Sequence, residues 1–212
     1  MTTVRIEALG GRGEGIATHD GRRVFVPFTL PGEMVEIALD GPCGTPVSLR
    51  DASPERIEAV CPYFGACGGC LLQHAGPALY AGFKRDLVVT ALRHAGIDAP
   101  VAPLVDARGA GRRRATFHTD GKAAGYMRWR SHELLPIDAC PILVPALRHR
   151  APAIVRAIGA VAGPADVLVT TTDTGIDVAV RAARGLRPEA LVPLARGLEL
   201  ARLALGGEVL YQ

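Results

Sequence analysis

The chain has 212 residues, a net charge of +3 and 49% hydrophobic residues, which is typical of a globular protein with one or two domains. No apolar run approaches the ~20 residues that span a bilayer, and the N-terminus MTTVRIEALGGRGEG lacks the apolar core of a signal peptide, so neither a membrane protein nor a secreted precursor is expected. The five cysteines are an odd number and do not suggest a disulfide framework, so we expect a cytoplasmic protein whose thiols bind a metal.

Residues 1–57 predict a small β-domain. Val4 and Ile6 alternate with charged residues, which is the period of a half-buried strand. Strands are expected near residues 4–8, 22–28, 34–39 and 47–52. Four or five strands in so short a segment remove their edges most simply by closing into a small barrel of the OB type.

Three cysteines lie in one glycine-rich loop, CPYFGACGGC: Cys61, Cys67 and Cys70. Three thiolates do not complete a tetrahedral metal site, and of the remaining cysteines we choose Cys140, which is followed by proline as Cys61 is. The spacing favours a four-thiolate iron–sulfur cluster over structural zinc, whose ligands usually come as two C-x2–4-C pairs. Zinc and buried, metal-free cysteines are the alternatives, and Cys43 is interpreted as a bystander in a barrel loop.

A long helix is predicted after the cysteine loop, at residues 77–95. Gly76-Pro77 is typical of a helix start, and Gly96 of a helix end. Apolar residues recur at helical spacing, and they give this helix a broad apolar side for a lone surface helix.

Positive charge is concentrated in residues 108–130. This stretch contains seven arginine and lysine residues, Arg108 among them, and Asp120 is its only acidic residue. Its net charge is therefore +6, and that of the rest of the chain is −3. Asp120-Gly121 predicts a tight hairpin between Arg113–Thr119 and residues 123–128. We expect this hairpin to bring Arg114 and His118 near Tyr126 and Arg128 on a common surface.

This β-ribbon favours RNA as a partner. Arginine suits bidentate phosphate contact, and Trp129 and two other aromatic residues offer planes for base stacking. A solvated face, paired with acids from elsewhere, is the alternative. The candidate RNA-binding residues are Arg112, Arg113, Arg114, Phe117, His118, Tyr126, Arg128, Arg130 and His132.

The C-terminal third predicts further α+β structure. The expected elements are a helix at residues 151–162, a hairpin at residues 166–181, a helix from Pro188 to about Arg196, and a strand from Glu208. The ending GGEVLYQ is typical of a strand that enters further structure, so we expect the protein to continue beyond Gln212.

Several motifs in order resemble one family. They are GGRGEGIA and VFVPFTLPGE in the barrel, SPERIEAVCPYFGACGGCLLQH around the cysteine loop, then RRRATFH and GYMRWRSHELLPIDACPIL. Over nearly its whole length the chain resembles the N-terminal half of the RNA uracil-5-methyltransferases that bind a [4Fe–4S] cluster. A barrel of this TRAM type would also suit radical methylthiotransferases, but their C-x3-C-x2-C motif is absent.

The resemblance implies an α+β, mostly β fold: a TRAM-type OB-like barrel at residues 1–57 and a central domain with the cluster loop at residues 58–212. The Rossmann-like methyltransferase domain would be missing from this chain, and the helix at 77–95 would pack against it. The ligands Cys61, Cys67, Cys70 and Cys140 match those of the family's cluster.

The family transfers a methyl group from S-adenosylmethionine to uracil C5 in RNA, with ribosomal RNA a better candidate here than transfer RNA. None of its catalytic or S-adenosylmethionine-binding motifs occurs in these residues, so the chain alone is expected to bind RNA weakly at best and to be inactive. A monomer is expected. A stand-alone RNA-binding module with a structural metal is the main alternative, and a cluster-based electron-transfer protein is a weaker one.

Overall fold

The computed structural model describes residues 1–106, 111–182 and 186–212. Arg108, which was counted in the basic stretch, lies outside the described residues. Within the described ranges, no helix is long and apolar enough to cross a membrane.

The chain divides by its internal contacts into two compact units. The first is Met1–Gly65 with Cys70–Asp106, and the second is Ala66–Gly69 with Ala107–Gln212. These units differ from the domains expected at 1–57 and 58–212, because the contacts group the helix after residue 76 and part of the cysteine loop with the barrel.

Six strands of the first unit form one sheet: β1 (Thr2–Arg5), β2 (Ala8–Leu9), β3 (Gly15–His19), β4 (Arg22–Val26), β5 (Met34–Asp40) and β6 (Cys43–Asp51). The strand order is β1-β5-β6-β4-β3-β2. The two edge strands, β1 and β2, therefore follow one another directly in the sequence. Between these parts the Glu7 amide donates to the Ile16 carbonyl at 2.7 Å. The sheet therefore closes on itself into the small barrel that the sequence predicts.

The barrel is filled by small and branched apolar side chains that point inward from alternate strand positions. They are Val4, Ile6, Ala17, Val24, Val26, Val35 and Ile37. One expectation is corrected here: Cys43 is the first residue of β6, paired with Phe25 and Asp40, and does not lie in a loop. Strand β6 accommodates the nearby Pro46 beside a register shift.

The predicted long helix is confirmed as α1 (Pro77–His94). Its N-terminal half packs through Leu79, Tyr80 and Phe83 on the buried residues Leu30, Leu72 and Ala75. None of its own residues is fully buried, and Val88 is 48% exposed. Its apolar side is therefore only partly covered by the first unit.

Seven strands of the second unit form one sheet: β7 (Arg114–Asp120), β8 (Ala124–Met127), β9 (Leu134–Pro136), β10 (Pro164–Thr172), β11 (Gly175–Ala182), β12 (Leu200–Leu205) and β13 (Glu208–Tyr211). The order is β13-β12-β11-β10-β7-β8-β9, with only β11 and β12 parallel. Both predicted hairpins, β7–β8 and β10–β11, are confirmed. In the first, the Asp120 carboxylate accepts the Lys122 and Ala123 amides at 2.8 and 2.7 Å.

Helices cover one face of this sheet: α2 (Pro145–Arg148), α3 (Arg150–Ala162), a 3-10 turn (Pro188–Ala190) and α4 (Val192–Gly197). Ile154, Val155 and Ile158 of α3 are buried. Gly159 lets α3 approach β7, since a Cβ at this position would overlap the Thr119 hydroxyl. The mostly β, α+β fold is therefore as predicted, although β3, β9 and β12 were not among the individual strands expected.

Candidate RNA-binding surface and cysteine ligands

Strand β7 presents two different faces to its surroundings. Ala115, Phe117 and Thr119 are buried, whereas Arg114 and Thr116 between them are exposed. This alternation follows from the two-residue period of a strand, with α3 packed on one face only. Side chains on the open face are the ones that can contact a large partner.

Two of the predicted RNA contacts lie on the helix-covered face. The rings of Phe117 and Tyr126 stack with centroids 4.6 Å apart. Phe117 is fully buried, so its ring is not available to a base. Because His118 pairs with Gly125, the expected common surface of Arg114, His118 and Tyr126 is corrected: Tyr126 lies on the opposite face.

The arginines gather at one end of the β7–β8 hairpin, opposite its turn. The antiparallel arrangement brings Arg112, Arg113 and Arg114 at the start of β7 to the same end as Arg128 and Arg130 after β8. Side-chain exposure differs little among them: all except the half-buried Arg128 are exposed.

Only part of this arginine group is paired with acids. Arg113 lies 3.5 Å from Asp173, and Arg128 lies 2.9 Å from Glu133. For Arg112 and Arg114, no acidic partner is present in the part of the chain that the structure describes. The ion pairs of Arg113 and Arg128 agree with the alternative of a solvated face. Arg112 and Arg114 are instead placed as expected for residues that bind an anion.

His118 has a partner that sequence reasoning missed. Its Nδ1 lies 2.6 Å from Oδ1 of Asp166, the residue directly opposite on β10. The pair lies on the open face and orients the imidazole there. His132, by contrast, is exposed in the turn after β8.

In the second unit, Cys67 is held by the backbone of the arginine turn. Cys67 and Arg128 form an antiparallel bridge, and the Gly68 amide donates to the Met127 carbonyl at 2.9 Å. The Trp129 amide donates in turn to Ala66 at 2.9 Å. Residues 66–69 are therefore held against this turn by one isolated bridge and two backbone hydrogen bonds.

Cys140 is held next to the other end of the arginine group. Leu143, three residues on, forms a parallel bridge with Arg112, and the Arg112 amide donates to the Ile142 carbonyl at 2.7 Å. The phenol oxygen of Tyr126 lies 4.0 Å from the Cys140 sulfur. Burial raises the pKa of Tyr126, and the neighbouring Cys140 adds to this, so the phenol stays protonated and can donate.

Cys61 and Cys70 belong to the first unit, where both are half-buried. Burial raises the pKa of the Cys61 thiol, and the nearby Cys70 adds to the effect. Hydrogen bonds from the Tyr63 and Phe64 amides and from Gln73 act in the opposite direction and favour the thiolate.

The neck of the cysteine loop is closed within the first unit by backbone pairing. The Ile57 amide donates to the His74 carbonyl at 2.9 Å, and the Arg56 guanidinium binds the carboxylate of fully buried Glu33 through two donors. Burial alone would raise the pKa of Glu33, but bonds from Arg56, Leu30 and other donors outweigh it and leave the pKa lowered. Glu33 and Arg56 were not singled out from the sequence.

The four cysteines offer the thiolate donors that an iron–sulfur cluster needs, but the described structure does not bring them together as one ligand set. Gly69 donates its amide to the Cys67 sulfur at 3.4 Å, a contact typical of cluster thiolates. Across the described ranges, however, no group of three or more His, Cys, Asp or Glu side chains is arranged to hold a metal ion. The four-cysteine ligand set therefore stays a prediction.

Comparison with known proteins adds family information. Residues 2–40 match the model of the TRAM domain, in agreement with the predicted barrel. A protein of Rhizobium meliloti named as an uncharacterized RNA methyltransferase is 40% identical, over 99% of this chain and 54% of the relative. A similarly named protein of Brucella suis is 39% identical, over 99% of this chain and 53% of the relative.

Two further proteins carry more specific names. A 23S rRNA (uracil(1939)-C(5))-methyltransferase of Pectobacterium carotovorum is 37% identical, over 68% of this chain and 35% of that protein. The crystal structure of Pyrococcus abyssi tRNA (uracil-54, C5)-methyltransferase shares the fold, with a TM-score of 0.67 and 17% identity over 98% of this chain and 54% of that one. The chain thus spans about half the length of the curated relatives it matches, and over nearly all of its own length it is similar to proteins named as RNA methyltransferases.

Proposed function

We propose that this chain is the RNA-recognition part of an S-adenosylmethionine-dependent RNA (uracil-C5) methyltransferase that makes 5-methyluridine. The observation that carries the proposal is the similarity to named RNA methyltransferases over 99% of the chain. The relative named for 23S rRNA favours ribosomal over transfer RNA as the substrate. We take the protein to be cytoplasmic and monomeric.

The RNA side of this proposal rests on the arginine end of the second sheet. Arg112 and Arg114 are exposed and have no acid beside them in the described residues, so phosphates can replace water around them. Arg113, Arg128, Arg130 and the histidines border the same region. Such contacts orient the RNA without reading its sequence.

The methyl-transfer step is assigned to residues outside this chain. This assignment is supported by the strand directions: among the described strands only β11–β12 and a single pair between β4 and β6 are parallel, whereas a doubly wound nucleotide-binding sheet is mostly parallel. The uncovered apolar side of α1 is the surface on which we expect the methyltransferase domain to pack. No catalytic residue is therefore proposed in these 212 residues.

We also propose a [4Fe–4S] cluster ligated by Cys61, Cys67, Cys70 and Cys140. Support comes from the four thiols, from the Gly69 amide donated to Cys67, and from the Tyr126 phenol beside Cys140. Bound there, the cluster would act structurally. Cys67 forms a backbone bridge with Arg128, and Cys140 lies three residues before Leu143, the bridge partner of Arg112. The cluster would therefore order the arginine end of the second sheet.

Radiolabelled methyl transfer tests the function. The product of the complete gene, supplied with S-adenosylmethionine carrying a labelled methyl group and with unmethylated ribosomal or transfer RNA, should place the label in 5-methyluridine. The 212-residue chain should bind the same RNA without labelling it. RNA binding without methyl transfer by the complete protein would favour the stand-alone module, and absence of RNA binding by either would refute the proposal.

A further inference from the structure

The imidazole of His118 is held through one ring nitrogen, and its other nitrogen is open to solvent. Nδ1 lies 2.6 Å from Oδ1 of Asp166, and because an ionised carboxylate can only accept, the proton in this hydrogen bond belongs to Nδ1. In the neutral imidazole Nε2 is then an acceptor. Within the described residues Nε2 has no hydrogen-bond partner, and it is not among the buried side-chain atoms that lack one.

Two acids and two arginines lie around this imidazole on the open face of the sheet. Asp166 is directly opposite it on β10, and Asp120 lies two residues along β7 on the same face. Arg114 lies four residues in the other direction, about 13 Å away, and Arg181 lies opposite Asp166 on β11, two strand spacings or about 10 Å from His118. An anion at Nε2 would be repelled by both carboxylates, whereas a neutral hydroxyl group would not.

A ribose 2′-hydroxyl suits this position better than a phosphate. It can donate to Nε2 without placing negative charge beside Asp166, while the phosphates before and after the sugar are left to Arg114 and Arg181, which are both exposed. Leu168 lies two residues beyond Asp166 on the same face and is half-buried, so it can contact the carbon atoms of the sugar. The 2′-hydroxyl is also the group by which proteins distinguish RNA from DNA.

We propose that His118 recognises a ribose 2′-hydroxyl of the bound RNA through Nε2, and that Asp166 is a positioning residue that fixes the tautomer this contact requires. The inference rests on the proposed function, because it assumes that the second unit binds RNA. It goes further in naming the chemical group that is recognised and in giving Asp166 a role. Such a contact selects RNA over DNA without selecting a base sequence.

Substitution at the 2′ position of the ligand tests the contact, with the product of the complete gene as the protein. The affinity for an oligouridylate is compared with that for the same oligomer carrying 2′-fluoro groups, which cannot donate. His118→Phe should lower this affinity ratio about two- to tenfold, the contribution of one neutral hydrogen bond, by weakening only the 2′-hydroxyl form. His94→Phe, at the exposed end of α1, should leave the ratio unchanged. Equal weakening of both oligomers by His118→Phe, with a lower salt dependence, would show a phosphate contact and overturn the proposal.

Nitrogen-15 NMR of the histidine-labelled protein tests the role of Asp166. At about pH 8, His118 should have a protonated Nδ1 and an unprotonated Nε2. Asp166→Ala should move the proton to Nε2, the tautomer that unpaired histidine prefers, and should lower the affinity ratio as His118→Phe does. A protonated Nε2 in the wild type, or an unchanged ratio in Asp166→Ala, would contradict the positioning role. If oligouridylate binds and the ratio does not depend on His118, the contact is refuted while the proposed function stands. If no RNA binds at all, both fail.

Discussion

Cys67 and Arg128 are partners in an antiparallel backbone bridge, so a predicted metal ligand and a candidate RNA contact are held to each other directly. On the other side of the hairpin, Arg112 is bridged to Leu143, three residues after Cys140. The two cysteines of the second unit are therefore part of the framework of the arginine surface. Whatever binds their sulfurs also restrains the candidate RNA-binding arginines.

Serine substitutions test the cysteine ligand set. Cys140→Ser should abolish binding of iron and sulfide, which are expected at about four each per chain in anaerobically purified protein. Cys43→Ser is the control: Cys43 lies in strand β6 of the barrel, outside the cysteine loop, and its replacement should leave the metal content unchanged. Colourless protein with one zinc per chain would contradict the cluster, and equal loss in both variants would contradict the ligand assignment.

The salt dependence of RNA binding tests the arginine surface. Each phosphate contact to single-stranded RNA contributes about 0.7 to the slope of log K against log salt, because counterions are released. The double variant Arg112→Ala, Arg114→Ala should therefore lower the slope by about 1.4. Arg156→Ala on α3, whose guanidinium lies 2.7 Å from Asp138, should leave it unchanged. An unaltered slope in the double variant would favour a merely solvated face.

Local sequence features predicted the strands and turns of the second unit better than they predicted which face of the sheet each side chain lies on. Asp120-Gly121 was enough to predict the β7–β8 hairpin, because the turn depends on residues near each other in the chain. The placement of Phe117 and Tyr126 depends on which face α3 covers, and α3 begins more than twenty residues after Tyr126. No pattern within the ribbon carries this information, so the buried Phe117 and the half-buried Tyr126 were predicted to bind RNA.

The cysteine loop shows the same limit. Its spacing predicted metal ligation, but nothing local indicated that Glu33, in the barrel, would bind Arg56 at the loop's neck. Likewise, His118 was singled out for its arginine neighbours, whereas its partner Asp166 comes from β10. In both cases the partner comes from a segment distant in the sequence, and the local pattern around a residue does not indicate which segment that is.

Acid should destabilise the first unit through His74. The side chain is 2% exposed; burial and then the nearby Arg56 lower its pKa from 6.5 to about 4. The folded state thus resists protonation, while the unfolded chain binds a proton near pH 6.5. Stability contributed by the neutral imidazole is complete above that value and is lost as the pH falls toward 4, by at most about 3 kcal/mol.

Thermal unfolding at several pH values measures this effect. The wild-type midpoint should fall between about pH 7 and about pH 5, and His74→Phe, which keeps a ring against Phe64, should flatten the dependence. His94→Ala at the exposed end of α1 should retain the wild-type profile. An undiminished pH dependence in His74→Phe would mean that other groups cause the acid sensitivity.

One substitution in two helices should change stability in opposite directions. In α1, a Cβ at Gly82 would meet nothing within 4 Å, so Gly82→Ala should stabilise by up to ~1 kcal/mol through helix propensity alone. In α3, the same change at Gly159 gains the same propensity but forces a methyl group against the Thr119 hydroxyl of β7. Overpacking of this kind costs about 1–3 kcal/mol, so Gly159→Ala should be the less stable protein in urea unfolding. Equal stabilisation by both substitutions would mean that α3 and β7 are not in close contact.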